Sequence, residues 1–136
     1  MKDDLDNWLD LFVKAVLGKK AESVVVLDVR GLTSIADAFI ICSGRSNRQV
    51  SAVADYVERF LKQEGIRPLS VEGRKEGHWV LMDYGQVIIH VFYTETRAFY
   101  DLEGLWVDAK RITTASLKAS LDSAAEGFDG EEIIVD

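Results

Sequence analysis

Three kinds of side chain in this 136-residue chain could do chemistry, and each needs particular neighbours. The first are the carboxylates Asp28, Asp37 and Asp83, near the ends of apolar runs. Metal-assisted phosphoryl transfer needs paired carboxylates converging on one ion. No D-x-D or E-x-D pair occurs in a strand-like run, so the residue type is present without the pairing. The second is the turn SGRSNRQ, residues 43–49, which leads from an apolar run into a helix start. Backbone N–H groups at such a start can hold a phosphate. The turn lacks both the G-x-x-x-x-G-K-[ST] and the G-x-G-x-x-G spacing, so it reads as a strand–turn–helix connection. Together these features define one enzyme reading to test, a divergent metal-dependent nucleotidyltransferase. It would use the 43–49 turn for phosphate and Asp28, Asp37 or Asp83 for a metal.

The third kind is nucleophiles and bases. His78 and His90 are the two histidines, and neither lies four residues from another, so helical zinc spacing is missing. Cys42 is the single cysteine, which excludes an internal disulfide and a cysteine cluster. No Ser or Cys stands in a nucleophile-elbow motif. His90, between Ile89 and Val91, reads as a hydrogen-bonded core histidine, and Cys42 as a small apolar core residue. No catalytic set, metal site or cofactor motif emerges. What remains is aromatic: Trp79, Tyr84, Phe99, Tyr100 and Trp106 fall within residues 79–106. Phe99 and Trp106 read as core. Tyr84 at a turn tip and Tyr100 on an outward helix face are harder to bury, and exposed aromatics are favoured interface anchors.

The elements that must position these residues follow from periodicity. Leu5, Trp8, Leu9, Phe12, Val13, Val16 and Leu17 recur at helical spacing, which predicts a helix over 5–17 ending at Gly18. Residues 23–29 and 38–42 are short β-branched runs without a polar face, as in strands covered on both sides. Ser46 with Gln49 forms a capping box for a helix whose stripe is Val50, Val53, Ala54, Val57, Phe60 and Leu61, and Gly65 is placed as its C-cap. Pro68 stands at the mouth of a short strand over 69–72. Residues 78–83 and 87–93 read as a hairpin around Gly85, with both faces apolar. The second face therefore needs either a covering layer or a partner. A final helix over 97–106 would bury Ala98, Phe99, Leu102, Leu105 and Trp106 and turn Tyr100 outward. From Thr113 the chain is Ala/Ser/Asp/Glu-rich and reads as a loosely held helix or disordered tail. The expectation is one α/β domain over 1–112, a mixed sheet of about five strands with packed helices, followed by an acidic C-terminal tail over 113–136.

Composition bounds the function classes. Hydrophobic residues make up 48% of the chain, as in a globular domain that can bury about two thirds of its unfolded surface without a metal or disulfide. Net charge is −7, but six of the 23 acidic residues lie in 122–136 against no Lys or Arg, leaving the body near neutral. This is not the basic footprint of a protein that grips phosphate backbones, so no direct sequence-specific nucleic-acid binding is expected. The N-terminus is acidic without an apolar signal core, no run approaches membrane-spanning length, and the lone thiol suits a reducing compartment. These features point to a cytoplasmic protein with no membrane partner.

Three segments carry a family resemblance: VVVLDVRGLTSIADAFIICSGRSNRQVSAVAD, EGRKEGHWVLMDYGQVIIHVF and RAFYDLEGLW. They resemble the Iojap / ribosomal silencing factor (RsfS) family over roughly residues 5–108. The ordered string from Trp79 to Phe92, followed by Arg97 to Trp106, is too long for chance. The resemblance implies a nucleotidyltransferase-like core without nucleotidyl transfer, no enzymatic activity and no cofactor. It implies binding to large-subunit ribosomal protein fourteen on the face where the subunits meet, which damps translation or keeps a maturing large subunit from joining early. It also implies that the chain can form a homodimer. Within the motifs, Trp79, Met82, Asp83 and Tyr84, with Tyr100, Glu103, Leu105 and Trp106, are the expected partner-binding residues. Glu72, Gly73 and His90 also match and read as structural.

Overall fold

The computed structural model describes residues 2–124, with side chains from Asn7 onward. Helix α1 (Lys2–Leu17) leads into β1 (Glu22–Asp28), β2 (Ala38–Gly44), α2 (Asn47–Gln63) and β3 (Ser70–Glu72). The hairpin β4 (Trp79–Asp83) and β5 (Val87–Tyr93) follows, then the short helices α3 (Thr94–Tyr100) and α4 (Leu102–Leu105), and β6 (Lys110–Arg111). The strands form one six-stranded sheet in the order β3-β4-β5-β2-β1-β6. Strands β2 and β5 are parallel; the other pairings are antiparallel. The fold is α/β with a mixed sheet, as expected. The sixth strand, β6, pairs two residues with Leu27 and Asp28, too short a run to leave a periodic signal.

Strands β2 and β5 occupy the centre because nothing in them tolerates water. Every residue of β2 is buried, as is every residue of β5 except Tyr93. On one face α1 and α2 lie across them, with Leu9, Phe12, Val13 and Val16 from α1 and Val50, Val53, Val57 and Leu61 from α2. These meet Ile40, Cys42, Ile89 and Val91 from the sheet. Each such side chain contributes roughly 1.5–3 kcal/mol on full burial. Burial also pushes the Cys42 thiol up to about 12, which fits its use as packing. The side chain of Leu5, expected on the α1 stripe, lies outside the described residues.

Local signals placed the boundaries of α2. The Ser46 hydroxyl accepts from the Gln49 N–H at 3.0 Å, while the Gln49 side chain reaches back one residue further, to the Arg45 N–H at 2.8 Å. At the other end Gly65 takes φ 83°, and the Ile66 N–H donates to the Leu61 carbonyl at 2.8 Å, closing a Schellman motif. Gly85 sits at φ 88° in the β4–β5 turn.

Of the two readings of the stretch after Thr113, the helix is the one that stands at its start. Residues 115–124 are helical, and Thr114 and Leu117 are buried. The Ser116 N–H and hydroxyl both donate to the Asp10 carboxylate, at 2.8 and 2.7 Å. Packing against α1 thus reaches past residue 112. The acidic residues from Glu126 onward lie outside the described residues.

Gly73 holds φ 85°, and a Cβ built there would overlap the Trp79 carbonyl oxygen at the start of β4. Gly31 has nearly the same φ, 84°, but open space around it. Gly73→Ala should therefore cost at least about 2 kcal/mol, and Gly31→Ala only the backbone strain of about 1 kcal/mol. Urea unfolding of the two variants measures the gap. Equal losses would show that the Trp79 backbone yields.

Candidate functional site

The second face of the sheet is where the molecule is unfinished. Phe39 and Ile41 from β2, Ile88, His90 and Phe92 from β5, and Trp79 and Leu81 from β4 all point there. Its cover is the 101–109 segment, which lays Leu102, Trp106 and Ala109 against it. Aromatic rings run across this face from strand to strand. Trp106 meets Phe39 edge-on at 5.2 Å between centroids, and Phe39 meets His90 at 5.3 Å. Trp79 packs on Phe92 at 4.7 Å and on Tyr100 at 5.0 Å, and Tyr100 meets Phe99 at 5.1 Å with the rings perpendicular. Toward α3 the row emerges into solvent: Phe99 is 81% exposed and Tyr100 51%, joined further along by Leu105 at 75% and Val107 at 76%.

His90 is the polar member of this row. The Trp79 indole N–H donates to its Nδ1 at 3.2 Å. An indole can only donate, so the imidazole is neutral with its proton on Nε2. That Nε2 is buried with no hydrogen-bond partner among the described residues. Desolvation holds the ring's pKa down at about 4, which keeps it an acceptor for Trp79. His90 is thus a core histidine that sets the rotation of the half-buried tryptophan.

Arg97 pins the exposed end of the row. Its side chain is 11% exposed, and the guanidinium donates twice to the Glu103 carboxylate, at 3.0 Å each. It also donates to the Ser43 hydroxyl of β2 at 2.7 Å and to the Ser23 carbonyl of β1 at 2.8 Å. Ser23 takes φ 52° where the β1–β2 register shifts, so the arginine reads a bulge. Arg97 also holds the Glu103 carboxyl below the usual range, against burial. Neither α3 nor α4 contains a buried residue, and Arg97 helps to fasten both, alongside the Thr94 hydroxyl, which donates to the Gly44 carbonyl at 3.1 Å, and Leu102, which packs on the sheet.

The expected partner residues divide between the two faces. Trp79 and Tyr100 are in contact, Trp106 lies on Phe39, Leu105 is exposed, and Glu103 is engaged by Arg97. Met82 must be corrected: it is fully buried on the opposite face, beneath the helices. Tyr84 must be corrected too. It packs on Phe12 of α1 at 5.4 Å, and its buried hydroxyl has no partner among the described residues. Burial is the main reason its pKa is pushed up to about 12. Pleating explains both, since alternate residues of β4 face opposite ways. Asp83 shares the Trp79 face but accepts from the Gly85 N–H at 2.8 Å, a turn role.

The expected helix over 97–106 is two helices, and that changes which residues are exposed. Asp101 takes φ 47° between them and caps α4, its carboxylate accepting from the Gly104 N–H. The wheel drawn through 97–106 breaks there, so Phe99, expected in the core, stands in solvent. The spacing D-x-x-G of Asp101 and Gly104 was the available signal for the break.

The enzyme reading fails on distance. The 43–49 turn follows the C-terminal end of β2, whereas Asp37 precedes its start. Asp28 and Asp83 close β1 and β4 at that same far end. Seven strand residues, roughly 23 Å, separate the turn from the carboxylates. Ser46 and Gln49 already occupy N–H groups of the turn, and Asp28 is paired with Arg30 at 2.7 Å. Among the described residues no group of three or more His, Cys, Asp and Glu comes together to hold a metal ion. Nor does any helix there have the length and apolarity to cross a membrane.

Comparison with known proteins gives a consistent result. A family model described as "Ribosomal silencing factor during starvation" matches residues 2–132, past residue 108, where the resemblance read in the sequence ends. A ribosomal silencing factor of Halalkalibacterium halodurans is 45% identical over 104 residues, 76% of this chain and 89% of the relative. A crystal structure from Bacillus halodurans superposes with a TM-score of 0.70 at 40% identity, covering 78% of this chain and 96% of that one. The mouse protein named mitochondrial assembly of ribosomal large subunit protein 1 is 31% identical over 101 residues, 72% of this chain and 44% of the relative.

The Trp79–His90 pair carries a pH signature. The His90 pKa is about 4 in the folded chain, below its ordinary value of 6.5, so the stability tied to the neutral ring is complete above pH 6.5. It is lost as pH falls from 6.5 through 4, roughly 3 kcal/mol in all. Denaturant unfolding from pH 7 to 4.5 should show this slope, and His90→Gln should flatten it. A wild-type stability that does not change over that range would rule out a neutral, buried His90.

Proposed function

This chain belongs to the family of ribosomal silencing factors, and from that membership we propose that it binds the large ribosomal subunit through large-subunit ribosomal protein fourteen and so keeps the small subunit from joining. The observation that carries this reading is the exposed aromatic row on the second sheet face. A sheet apolar on both sides with a cover over only part of one side needs something more on it, and interface cores favour such aromatics. The contact set is Trp79, Phe99, Tyr100, Leu105 and Trp106, with Glu103 holding its shape through Arg97.

The mechanism is steric. A silencer occupies a surface that the small subunit also needs, so affinity and concentration set the degree of repression. No group on the chain has to react. The same blockade serves a maturing large subunit, in keeping with the name of the mouse relative. The proposed setting is the cytoplasm of a bacterial cell. A second copy of this chain would use the same apolar face, because the sheet's edge strands β3 and β6 have only three and two residues. Self-association and ribosome binding would then compete.

Sedimentation with purified large subunits, followed by a subunit-joining assay, tests the proposal. The wild-type chain should co-sediment and suppress joining as it is added in excess. Phe99→Ala with Tyr100→Ala should weaken association about tenfold or more, the equivalent of about 1.4 kcal/mol. Tyr84→Phe, on the other face, should leave it unchanged. Large subunits that ignore the chain and pair normally in its presence overturn the reading.

A further inference from the structure

A cavity of about 660 Å³ opens beyond the C-terminal ends of β2 and β5, at the exposed end of the aromatic row. Trp79, Tyr93, Phe99 and Tyr100 supply its aromatic walls, and Glu95 and Arg45 are among its polar groups. The walls are inclined to one another: Trp79 and Tyr100 at 46°, Tyr100 and Phe99 at 90°. Several aromatic rings lining one space at different inclinations can hold a cation by its attraction to the rings. Glu95 adds a formal negative charge. It sits beside the Tyr93 hydroxyl, hydrogen-bonds to it and pushes that phenol's pKa up. The cation at the rim, Arg45, is already paired with Glu22 at 2.6 Å. Among the described residues the Glu95 carboxylate meets no cation.

We propose that this cavity is a cage for one cationic side chain, an arginine, presented by the protein partner. The inference rests on the docking reading above and names the chemistry by which the partner is held. A guanidinium fits because it is flat, stacks on Trp79 or Tyr100 and can take a carboxylate with two parallel hydrogen bonds. An anion does not fit. The nearby α2 N-terminus is capped by Ser46, and Gln49 takes the Arg45 N–H, so these donors are spent. An uncharged apolar side chain could pack on the rings but would leave Glu95 without a counter-charge.

The test uses the full chain and two isosteric probes, N-acetyl-arginine amide and its neutral counterpart N-acetyl-citrulline amide. The reporter is the Trp79 indole N–H resonance, assigned with a Trp79→Phe variant. The arginine probe should shift this resonance with millimolar affinity, and citrulline should bind at least fivefold more weakly. Glu95→Gln should reduce arginine binding to the citrulline level, and Phe99→Ala should weaken it as well. Equal affinity for the two probes, no shift with arginine up to about 50 mM, or saturable displacement of the probe by inorganic phosphate would overturn the cage. On large subunits, Glu95→Gln should weaken co-sedimentation at least fivefold, and Glu64→Gln, which removes the same charge at the far end of α2, should not. Equal effects of the two substitutions, or none from Glu95→Gln, sink the cage. A wild-type chain that binds arginine but does not sediment with large subunits sinks the docking reading alone.

Discussion

Strands β2 and β5 are apolar on both faces, and the rest of the molecule answers to that constraint. A strand of this kind must be covered twice. Helices α1 and α2 cover one side with continuous stripes of Leu, Val and Phe, and the result is an ordinary core. The other side receives a thin cover, the 101–109 segment with Leu102 and Trp106. Aromatic rings fill much of what is left, and a row of rings is a surface that tolerates both water and a partner. The architecture of the sheet thus leaves one feature unfinished, an apolar layer covered only in part, and it is this layer that the proposed function uses.

Polar contacts decide the shape of that layer. His90 gives Trp79 a fixed acceptor, and Arg97 ties α3 and α4 to a bulge in β1 and to Ser43 in β2. An apolar patch held only by its own contacts could repack in many ways. Two directional contacts restrict it to one arrangement, with Tyr100 against Trp79 and Phe99 at a right angle to it. The charged pair Arg97–Glu103 is mostly out of solvent, where its directionality matters more than its net contribution to stability.

The fold was legible wherever a local rule had no competitor. The capping residue Ser46, the C-terminal Gly65, the turn at Gly85 and the stripes of α1 and α2 each follow from backbone chemistry a few residues long. The proposed contact surface was legible by composition more than by face. Trp79, Tyr100 and Leu105 could be picked out as aromatic or apolar residues near a turn and a helix. Met82 and Tyr84 were misplaced because motif membership says nothing about which way a pleated strand turns its side chains. Phe99 was misplaced because the left-handed residue Asp101 resets the helical phase. Arg97 could not be read as a hub at all. Its partners Ser23 and Ser43 lie more than fifty positions away, and only tertiary structure brings them together.

The attachment of α3 and α4 differs in kind from that of the remaining elements. They contribute no buried side chain and are moored largely through polar contacts of Arg97 and Thr94, whereas α1 and α2 are held by ten buried apolar side chains. Cooperative units of unequal stability open separately. Amide protons over 94–105 would then exchange with solvent through a partial opening, sensitive to ionic strength, that leaves β2 and β5 intact. The proposed docking region is then the part of the chain that can rearrange on contact without risking the core behind it.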